Sequence, residues 1–324
     1  MRKVFITRKI PEAGIKLLKK NGYKIVISPH NRVLKKVELI KYLKSNKYDG
    51  LLCLLTDKID GDVINAAGKQ LKIIANYAVG FDNIDLKAAK ERGIMVTNTP
   101  GVLTETVAEH TFSLLLAIAH RISEADRFTR AGKYKGWEPM LLLGSDVAEK
   151  ILGIVGLGRI GITVAKHAVK GFGMKALYYD VKRNSQFEKE FGAKYVNFNQ
   201  LLKNSDFVTI HVPLLPSTKH LIGAKQFKMM KKSAYLINTS RGAVIDERAL
   251  VKALKNKSLK GAAIDVFEFE PKVVPALKKL DNIIITPHIA SGTEETRSKM
   301  SELAASNLIA GLEGKKPPNL VVPR

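Results

Sequence analysis

Three short segments carry residue types that could perform proton and hydride chemistry on a small acid. Asn238-Thr239-Ser240-Arg241-Gly242, Asp265-Val266-Phe267-Glu268-Phe269-Glu270-Pro271 and Thr286-Pro287-His288-Ile289 each follow a short apolar run. Between them they supply an arginine, a carboxylate and a histidine. Arginine binds a carboxylate through a planar fork and stays charged, whereas histidine exchanges a proton near neutral pH. Arg241 and His288 are thus the cation and the proton donor that reduction of a 2-keto acid by a nicotinamide requires, with Glu270 available to hold the His288 ring. Singly, each has an ordinary alternative: an ion pair for an Arg after Ser, a satisfied loop residue for a His after Pro, a solvated turn for a Glu before Pro. Their joint position beyond three strands carries the reading.

A second constellation supplies a place for the nicotinamide's dinucleotide. In Ile151-Leu152-Gly153-Ile154-Val155-Gly156-Leu157-Gly158-Arg159-Ile160-Gly161 a G-x-G-x-x-G follows an apolar strand and opens a helix predicted over 160–170. Gly156, Gly158 and Gly161 let the backbone approach a pyrophosphate at a helix N-terminus, where amide groups and the dipole favour anions. Asp180 ends the next strand 19 residues beyond Gly161, where a ribose-binding carboxylate belongs. A carboxylate there accepts hydrogen bonds from the 2′-hydroxyl of NAD and repels the 2′-phosphate of NADP, so NAD(H) is favoured over NADP(H). Lys182 and Arg183 soften that preference if their side chains reach the same pocket.

The elements that must position these groups are legible as an alternation. Val4 to Ile6, Tyr23 to Ile27, Gly50 to Leu55, Ile73 to Tyr77 and Ile94 to Thr97 read as strands separated by amphipathic helices. A second series follows, with strands at 151–155, 176–179, 207–212, 234–238, 262–266 and 283–286. Alternation at that spacing means parallel βαβ units and therefore two doubly wound α/β domains; a flavodoxin-like substrate domain and a Rossmann NAD-binding domain are the expected pair. Residues 104–130 read as one long helix between the series, with Val107, Leu114, Leu115, Ile118 and Ile122 as its stripe. A last helix over 294–313 is too isolated to stand alone and is predicted to return to the first domain, making it discontinuous. The expected boundaries are 1–98 plus 290–324 for the substrate domain and 99–289 for the dinucleotide-binding domain.

At this point the chain resembles the D-isomer-specific 2-hydroxyacid dehydrogenase family over its whole length, nearest to its glyoxylate and hydroxypyruvate reductases. The resemblance is carried by residues 76–85 (NYAVGFDNID), 98–104 (NTPGVLT), the Gly156 to Gly161 fingerprint, Asn238 to Gly242 and 261–267 (GAAIDVF). It implies NAD(P)H-dependent reduction of glyoxylate and hydroxypyruvate, with Arg241, Glu270 and His288 catalytic and His288 as acid-base. It implies that backbone amides at Val79 and Gly80 join Arg241 in gripping the substrate carboxylate. Asp265 is implied at the nicotinamide carboxamide, Thr239, Ser240, Ile289 and Ala290 on the nicotinamide side, and Arg159 and Ile160 near the pyrophosphate. Asp180, Val181 and Lys182 follow along the cofactor, and Thr104 and Pro213 complete its wall. The family also implies a homodimer and domain closure over the substrate.

Smaller features choose within the family. Residues 135–139 (KGWEP) and 316–320 (KPPNL) look like glyoxylate reductases. Only 36 residues follow His288, so the small-molecule regulatory domain of many phosphoglycerate dehydrogenases is not expected. Val79 is apolar where phosphite dehydrogenases carry a lysine, and the Glu270 with His288 pattern differs from formate dehydrogenases. Gly101 and Leu215 depart from the family's usual Asp and Thr without touching the trio. The competing readings are another D-2-hydroxyacid dehydrogenase, of D-lactate or 3-phosphoglycerate type, and a non-catalytic NAD-sensing corepressor; the intact trio argues against the latter.

Composition bounds the rest. The 324 residues include 54 Lys plus Arg against 30 Asp plus Glu, a net charge of +24, with 45% hydrophobic residues, which excludes disordered, collagenous and disulfide-scaffold classes. The lysines are spread along the chain without interleaved aromatics, so the charge reads as a solvated surface rather than a nucleic-acid site. The single cysteine, Cys53, sits in a leucine run and fits a reducing cytoplasm. The amino terminus is too charged for a signal peptide and no apolar run approaches a membrane span, so no membrane partner is expected. His30, His110, His120, His167, His211 and His220 show no metal-ligand spacing and read as structural, with His211 nearest the cofactor. No metal is expected. Ser240 lacks a nucleophile elbow, so nothing suggests a serine hydrolase. The apolar side of 104–130 and the arm 140–143 (MLLL) exceed what a monomer comfortably exposes.

Overall fold

The computed structural model describes residues 1–322. The chain forms two compact units, Met1–Leu103 with Gly292–Arg324 and Thr104–Ser291. In the first unit β1 (Lys3–Ile6), α1 (Glu12–Lys20), β2 (Lys24–Ile27), α2 (Lys36–Ser45), β3 (Gly50–Leu54), α3 (Gly61–Ala66), β4 (Ile73–Tyr77), α4 (Leu86–Glu91) and β5 (Met95–Thr97) alternate strictly. The strands form one parallel sheet in the order β2-β1-β3-β4-β5. This is the flavodoxin-like order, whose ligand side is the carboxyl end of the strands. Parallel strands are covered on both faces and so read as unbroken apolar runs; β4 is buried along its whole length. Asp60 and Asp85 cap α3 and α4 by accepting the amides of Val63 at 3.2 Å and Ala88 at 2.9 Å.

The second unit runs through α5 (Thr104–Ala119), α6 (Ile122–Arg130), β6 (Ile151–Val155), α7 (Arg159–Phe172), β7 (Lys175–Tyr179), α8 (Ser185–Phe191), β8 (Lys194–Tyr195), α9 (Phe198–Asn204), β9 (Phe207–Ile210), α10 (Ala224–Met229), β10 (Tyr235–Asn238), α11 (Glu247–Lys255), β11 (Gly261–Ile264) and β12 (Ile283–Ile285). Its seven parallel strands lie in the order β12-β11-β10-β9-β6-β7-β8. The order reverses between β6 and β9, the switch point where a doubly wound sheet opens a ligand crevice. The chain then adds α12 (Glu294–Leu312) to the first unit, where it packs on α1 and β4. Ser301 of α12 fastens it there, accepting the Gly14 amide at 3.0 Å and donating to the Pro11 carbonyl at 2.7 Å. Both units are parallel α/β, as the alternation predicts, and the first takes in segments from both ends of the chain.

The single helix expected over 104–130 is instead two. The chain breaks at Arg121, which takes a left-handed φ of 56°. The Ser145 amide donates to the Ala119 carbonyl at 2.8 Å, occupying an acceptor that a continuing helix would use. Arg121 then ties itself to Glu124 in the next turn through Nε at 2.8 Å and Nη2 at 2.7 Å. The two-residue β8 is too short to carry a periodicity, and no residue pattern marks it.

Candidate active site

The glycine loop joins β6 to α7. Gly156 has a φ of +94°, and its amide donates to the Tyr179 carbonyl at the end of β7 at 2.9 Å. A Cβ at Gly156 would run into the His211–Val212 backbone beyond β9, so only glycine brings the loop this close to the neighbouring strand end. Gly158 is the N-cap of α7 and caps with no side chain. Nothing lies within 4 Å of where its Cβ would stand. A helix start with no side-chain cap and open space at Gly158 is the kind of place where backbone amides can hold an anion such as a pyrophosphate. Arg159 and Ile160 open the helix beside it.

Asp180 follows β7 and lies against this loop. Its Oδ2 accepts the Leu157 amide at 2.6 Å, and Oδ1 accepts the Lys182 amide at 3.3 Å. The carboxylate is thereby fixed beside the glycines, as a ribose ligand must be. Val181 and Lys182 are exposed. Arg183 is held by Glu188, its Nε and Nη2 donating at 2.8 and 2.7 Å. Hydrogen bonds from Arg183 and then Tyr178 hold the Glu188 carboxyl at about 2. The Arg183 guanidinium is therefore engaged with a carboxylate rather than presented to a phosphate. The loop, cap and acid together fit a bound dinucleotide.

The trio comes from three neighbouring strands, β10, β11 and β12. After β10, buried Asn238 shapes the turn: its Oδ1 accepts the Ser240 amide at 3.0 Å and the Ser240 hydroxyl at 2.8 Å, and its Nδ2 donates to the Arg241 carbonyl at 2.9 Å. Thr239 is buried, its hydroxyl 2.7 Å from that of Thr111 on α5. A Cβ at Gly242 would occupy the peptide between Phe267 and Glu268, so the Arg241 turn lies directly on the segment leading to Glu270. Glu270 Oε1 accepts the Phe267 amide at 2.9 Å. Its Oε2 meets His288 Nδ1, also at 2.9 Å. The structure brings Glu270 and His288 together as the residue types suggested.

Asp265 has a larger part than its sequence position revealed. It is fully buried, and its carboxylate accepts the Thr286 hydroxyl at 2.6 Å and the amides of Ile289 and Ala290, both at 2.8 Å. Its own carbonyl accepts the His288 amide at 2.9 Å. Burial pushes this carboxyl up, but the nearby His110 ring and hydrogen bonds from Thr286, Ile289 and Ala290 outweigh it and hold the group below its ordinary value. Asp265 thus organises the loop on which His288 stands with a φ of 55°. His110, on α5, completes this cluster with Nε2 3.7 Å from Asp265 Oδ1 and 3.5 Å from the Thr286 hydroxyl. Its place in a cluster with Asp265 could not be read from spacing. His211 holds a buried Nε2 without a partner, and burial lowers it to about 3. Thr104 begins α5 and Pro213 is exposed three residues beyond β9.

In the first unit, Val79 and Gly80 follow β4. The Val79 carbonyl accepts from Asn98 Nδ2 at 2.7 Å and the Gly80 carbonyl from Asn76 Nδ2 at 2.8 Å. With both carbonyls tied, the turn is fixed at the carboxyl end of its sheet. A cavity of about 680 Å³ in the second unit, lined by Arg121, Arg127, Lys232, Lys255, Lys260 and Lys279 among others, contains none of the trio. Among the described residues no group of three or more His, Cys, Asp or Glu could hold a metal ion, and no helix is long and apolar enough to cross a membrane.

A flavodoxin-like unit and a Rossmann unit, the latter carrying an Arg, a Glu-His pair and a dinucleotide cradle, define a nicotinamide-dependent oxidoreductase. Residues 112–290 match the family model for the D-isomer specific 2-hydroxyacid dehydrogenase, NAD binding domain. The chain is 53% identical over 323 residues to the glyoxylate reductase of Thermococcus litoralis, covering 98% of this chain and 96% of that one. The TT0316 protein of Thermus thermophilus superposes with a TM-score of 0.92 at 43% identity, over 99% of this chain and all of that one. An NADPH-dependent glyoxylate/hydroxypyruvate reductase from Sinorhizobium meliloti does so with a TM-score of 0.85 at 30% identity, over 99% and 98%. The chain belongs to the D-isomer-specific 2-hydroxyacid dehydrogenase family of oxidoreductases.

Proposed function

We propose that this enzyme reduces glyoxylate, and hydroxypyruvate beside it, to the 2-hydroxy acid with NADH as the preferred reductant. The observation that carries the reading is the contact of 2.9 Å between Glu270 Oε2 and His288 Nδ1. It fixes the imidazole and leaves the opposite nitrogen, Nε2, as the proton donor. When bound, the reduced nicotinamide supplies a hydride to the carbonyl carbon and is left as NAD+. His288 gives its proton to the carbonyl oxygen as the C–O bond loses its double-bond character, and Glu270 supports the ring through the change of charge. Arg241 binds the substrate carboxylate through its guanidinium fork. Val79 and Gly80 keep their proposed role as amide donors to that carboxylate.

Glyoxylate is favoured by the identity shared with the reductase of T. litoralis. NADH is favoured by Asp180, whose carboxylate is fixed at Leu157, and by Glu188, which occupies Arg183. Gly156, Gly158, Arg159, Ile160 and Gly161 are assigned to the pyrophosphate, Asp180, Val181 and Lys182 to the adenosine ribose, and Thr104, Pro213, Thr239, Ser240, Asp265, Ile289 and Ala290 to the rest of the cofactor. The unit from Thr104 to Ser291 is read as the dinucleotide-binding domain and the other as the substrate domain. A second copy of the chain is the proposed partner, because Trp137 and Met140 are 82% and 75% exposed and Ile122, Tyr134 and Leu143 are exposed with them. A cytoplasmic setting fits the single cysteine, Cys53, a free and buried thiol. Loss of NADH absorbance on adding glyoxylate tests the proposal. No loss with glyoxylate or hydroxypyruvate, in protein that binds NADH, would overturn it.

A further inference from the structure

The carboxylate of Glu247 has no part in the chemistry above, yet it is 1% exposed. Glu247 is the first residue of α11, but the helix is capped by Asp246, which accepts the amides of Arg248 and Ala249, each at 3.0 Å. Capping therefore does not account for it. Its Oε1 accepts the Glu268 amide at 2.6 Å, the Val274 backbone also favours the charged form, and Oε2 is buried without a hydrogen bond of its own. Burying a carboxyl so sparsely partnered is costly. Burial, with the charges of Glu268 and Glu270 added, pushes this one above its ordinary value.

The contact it makes lies at the root of the catalytic turn. Two successive amides are each taken by a carboxylate: that of Phe267 by Glu270, at 2.9 Å, and that of Glu268 by Glu247. The same peptide is the one on which Gly242, next to Arg241, is packed. The Glu268 side chain turns back over the junction, its Oε1 2.7 Å from His220 Nε2 and its Oε2 3.4 Å from the Glu247 amide. His220 in turn donates its amide to the Ala243 carbonyl at 2.8 Å. Three segments, around Arg241, Glu247 and Glu270, are thus laced through one peptide.

Resting on the reading of Glu270 and His288 given above, we infer that Glu247 is a positioning residue for that pair, holding the Glu268 amide so that Glu270 reaches His288 Nδ1. It touches neither substrate nor cofactor and acts through Glu270. A displacement of about 1 Å in a catalytic group costs on the order of 100-fold in rate, so loss of this tether shows in kcat rather than in cofactor affinity.

The test compares Glu247→Gln, Glu247→Asp and Glu247→Ala with the parent enzyme in glyoxylate reduction by NADH, with melting temperature and NADH affinity read on the same preparations. Gln keeps an oxygen that accepts the Glu268 amide; Asp withdraws it by one methylene. The expected result is a fall in kcat of about 10- to 100-fold for Ala and Asp, with NADH affinity and Gln kcat each within about threefold of the parent. Because Glu247 acts through Glu270, adding E247A to E270Q is expected to cost less than about twofold further. If Ala fails to fold, Asp and the Asp variant in the E270Q background decide. Parent-like kcat in the folded Ala or Asp variant overturns the inference alone, as does a Gln variant that falls as far as Ala, or full additivity with E270Q. A parent enzyme with no turnover overturns the proposed function and this inference with it.

Discussion

His288 Nδ1 stands 2.9 Å from Glu270 Oε2, and the two side chains are 26% and 25% exposed. Asp265 complements that contact from below, taking the His288 amide on its carbonyl and the next two amides on its carboxylate. One acid holds the ring and the other holds the backbone that carries it. On the proposed function this division preorganises the histidine as an acid-base, since neither its rotamer nor its left-handed backbone is left to chance.

Removing the ring or its partner should therefore damage chemistry more than folding. His288→Gln is expected to lower kcat/KM for glyoxylate by about 10²- to 10⁴-fold, the usual contribution of a positioned general acid. Glu270→Gln should cost less, roughly 10- to 100-fold, because Gln still accepts from Nδ1 but carries no charge. Melting temperatures within a few degrees of the parent would show that the loss is catalytic.

Arg241 offers a planar fork that lysine cannot reproduce. Arg241→Lys is expected to lose on the order of 10²-fold in kcat/KM despite keeping its charge, with the larger part of the loss in substrate KM. Initial rates over a range of glyoxylate concentrations separate the two parameters. A parent-like KM in the lysine variant would mean that the substrate carboxylate is held elsewhere.

In the proposed reading, cofactor choice rests on Asp180 and on the engagement of Arg183 by Glu188. Asp180→Ala should raise the KM for NADH by about tenfold or more, since the ribose then loses its acceptor. Combining it with Glu188→Gln frees Arg183 and should raise NADPH use above that of Asp180→Ala alone. The ratio of kcat/KM for the two cofactors is the readout.

Acid should destabilise the fold through His211. Its folded value of about 3 lies below its ordinary 6.5 because burial disfavours the charged ring. The neutral ring is thus favoured in the fold, and unfolding lets it take up a proton. Its contribution is fully present above 6.5 and is lost as pH falls from there toward 3, at about 1.4 kcal/mol per pH unit for one proton. Denaturant melts of the parent and His211→Asn at pH near 7 and near 4.5 should show the variant losing less stability between the two.

Much of the site can be read directly from residue order. The glycine fingerprint and Asp180 are local features of one βα unit and the strand after it, and Arg241, Glu270 and His288 each follow an apolar run that ends at the ligand side of a sheet. What residue order hides depends on contacts between segments distant in sequence. Asp265 reaches amides about 25 residues on, and Glu247 reaches one 21 residues on; no periodicity reports such pairings. The break at Arg121 is equally hidden, for neither glycine nor proline marks it, and it is enforced by the return of Ser145 to Ala119.

The exposed apolar arm predicts association. Met140→Asp combined with Leu143→Asp should convert a dimer to a monomer in sedimentation at micromolar concentration, while a parent enzyme that sediments as a monomer would contradict the proposed second copy.

The measurement that bears most directly on the central claim follows NADH absorbance with glyoxylate for the parent enzyme and His288→Gln side by side, with NADH binding checked in both. The expected result is rapid NADH oxidation by the parent, slower oxidation of NADPH, and near-complete loss of turnover with intact NADH binding in the variant. A His288→Gln enzyme that turns over at the parent rate, or a parent that binds NADH and reduces neither glyoxylate nor hydroxypyruvate, would contradict the account.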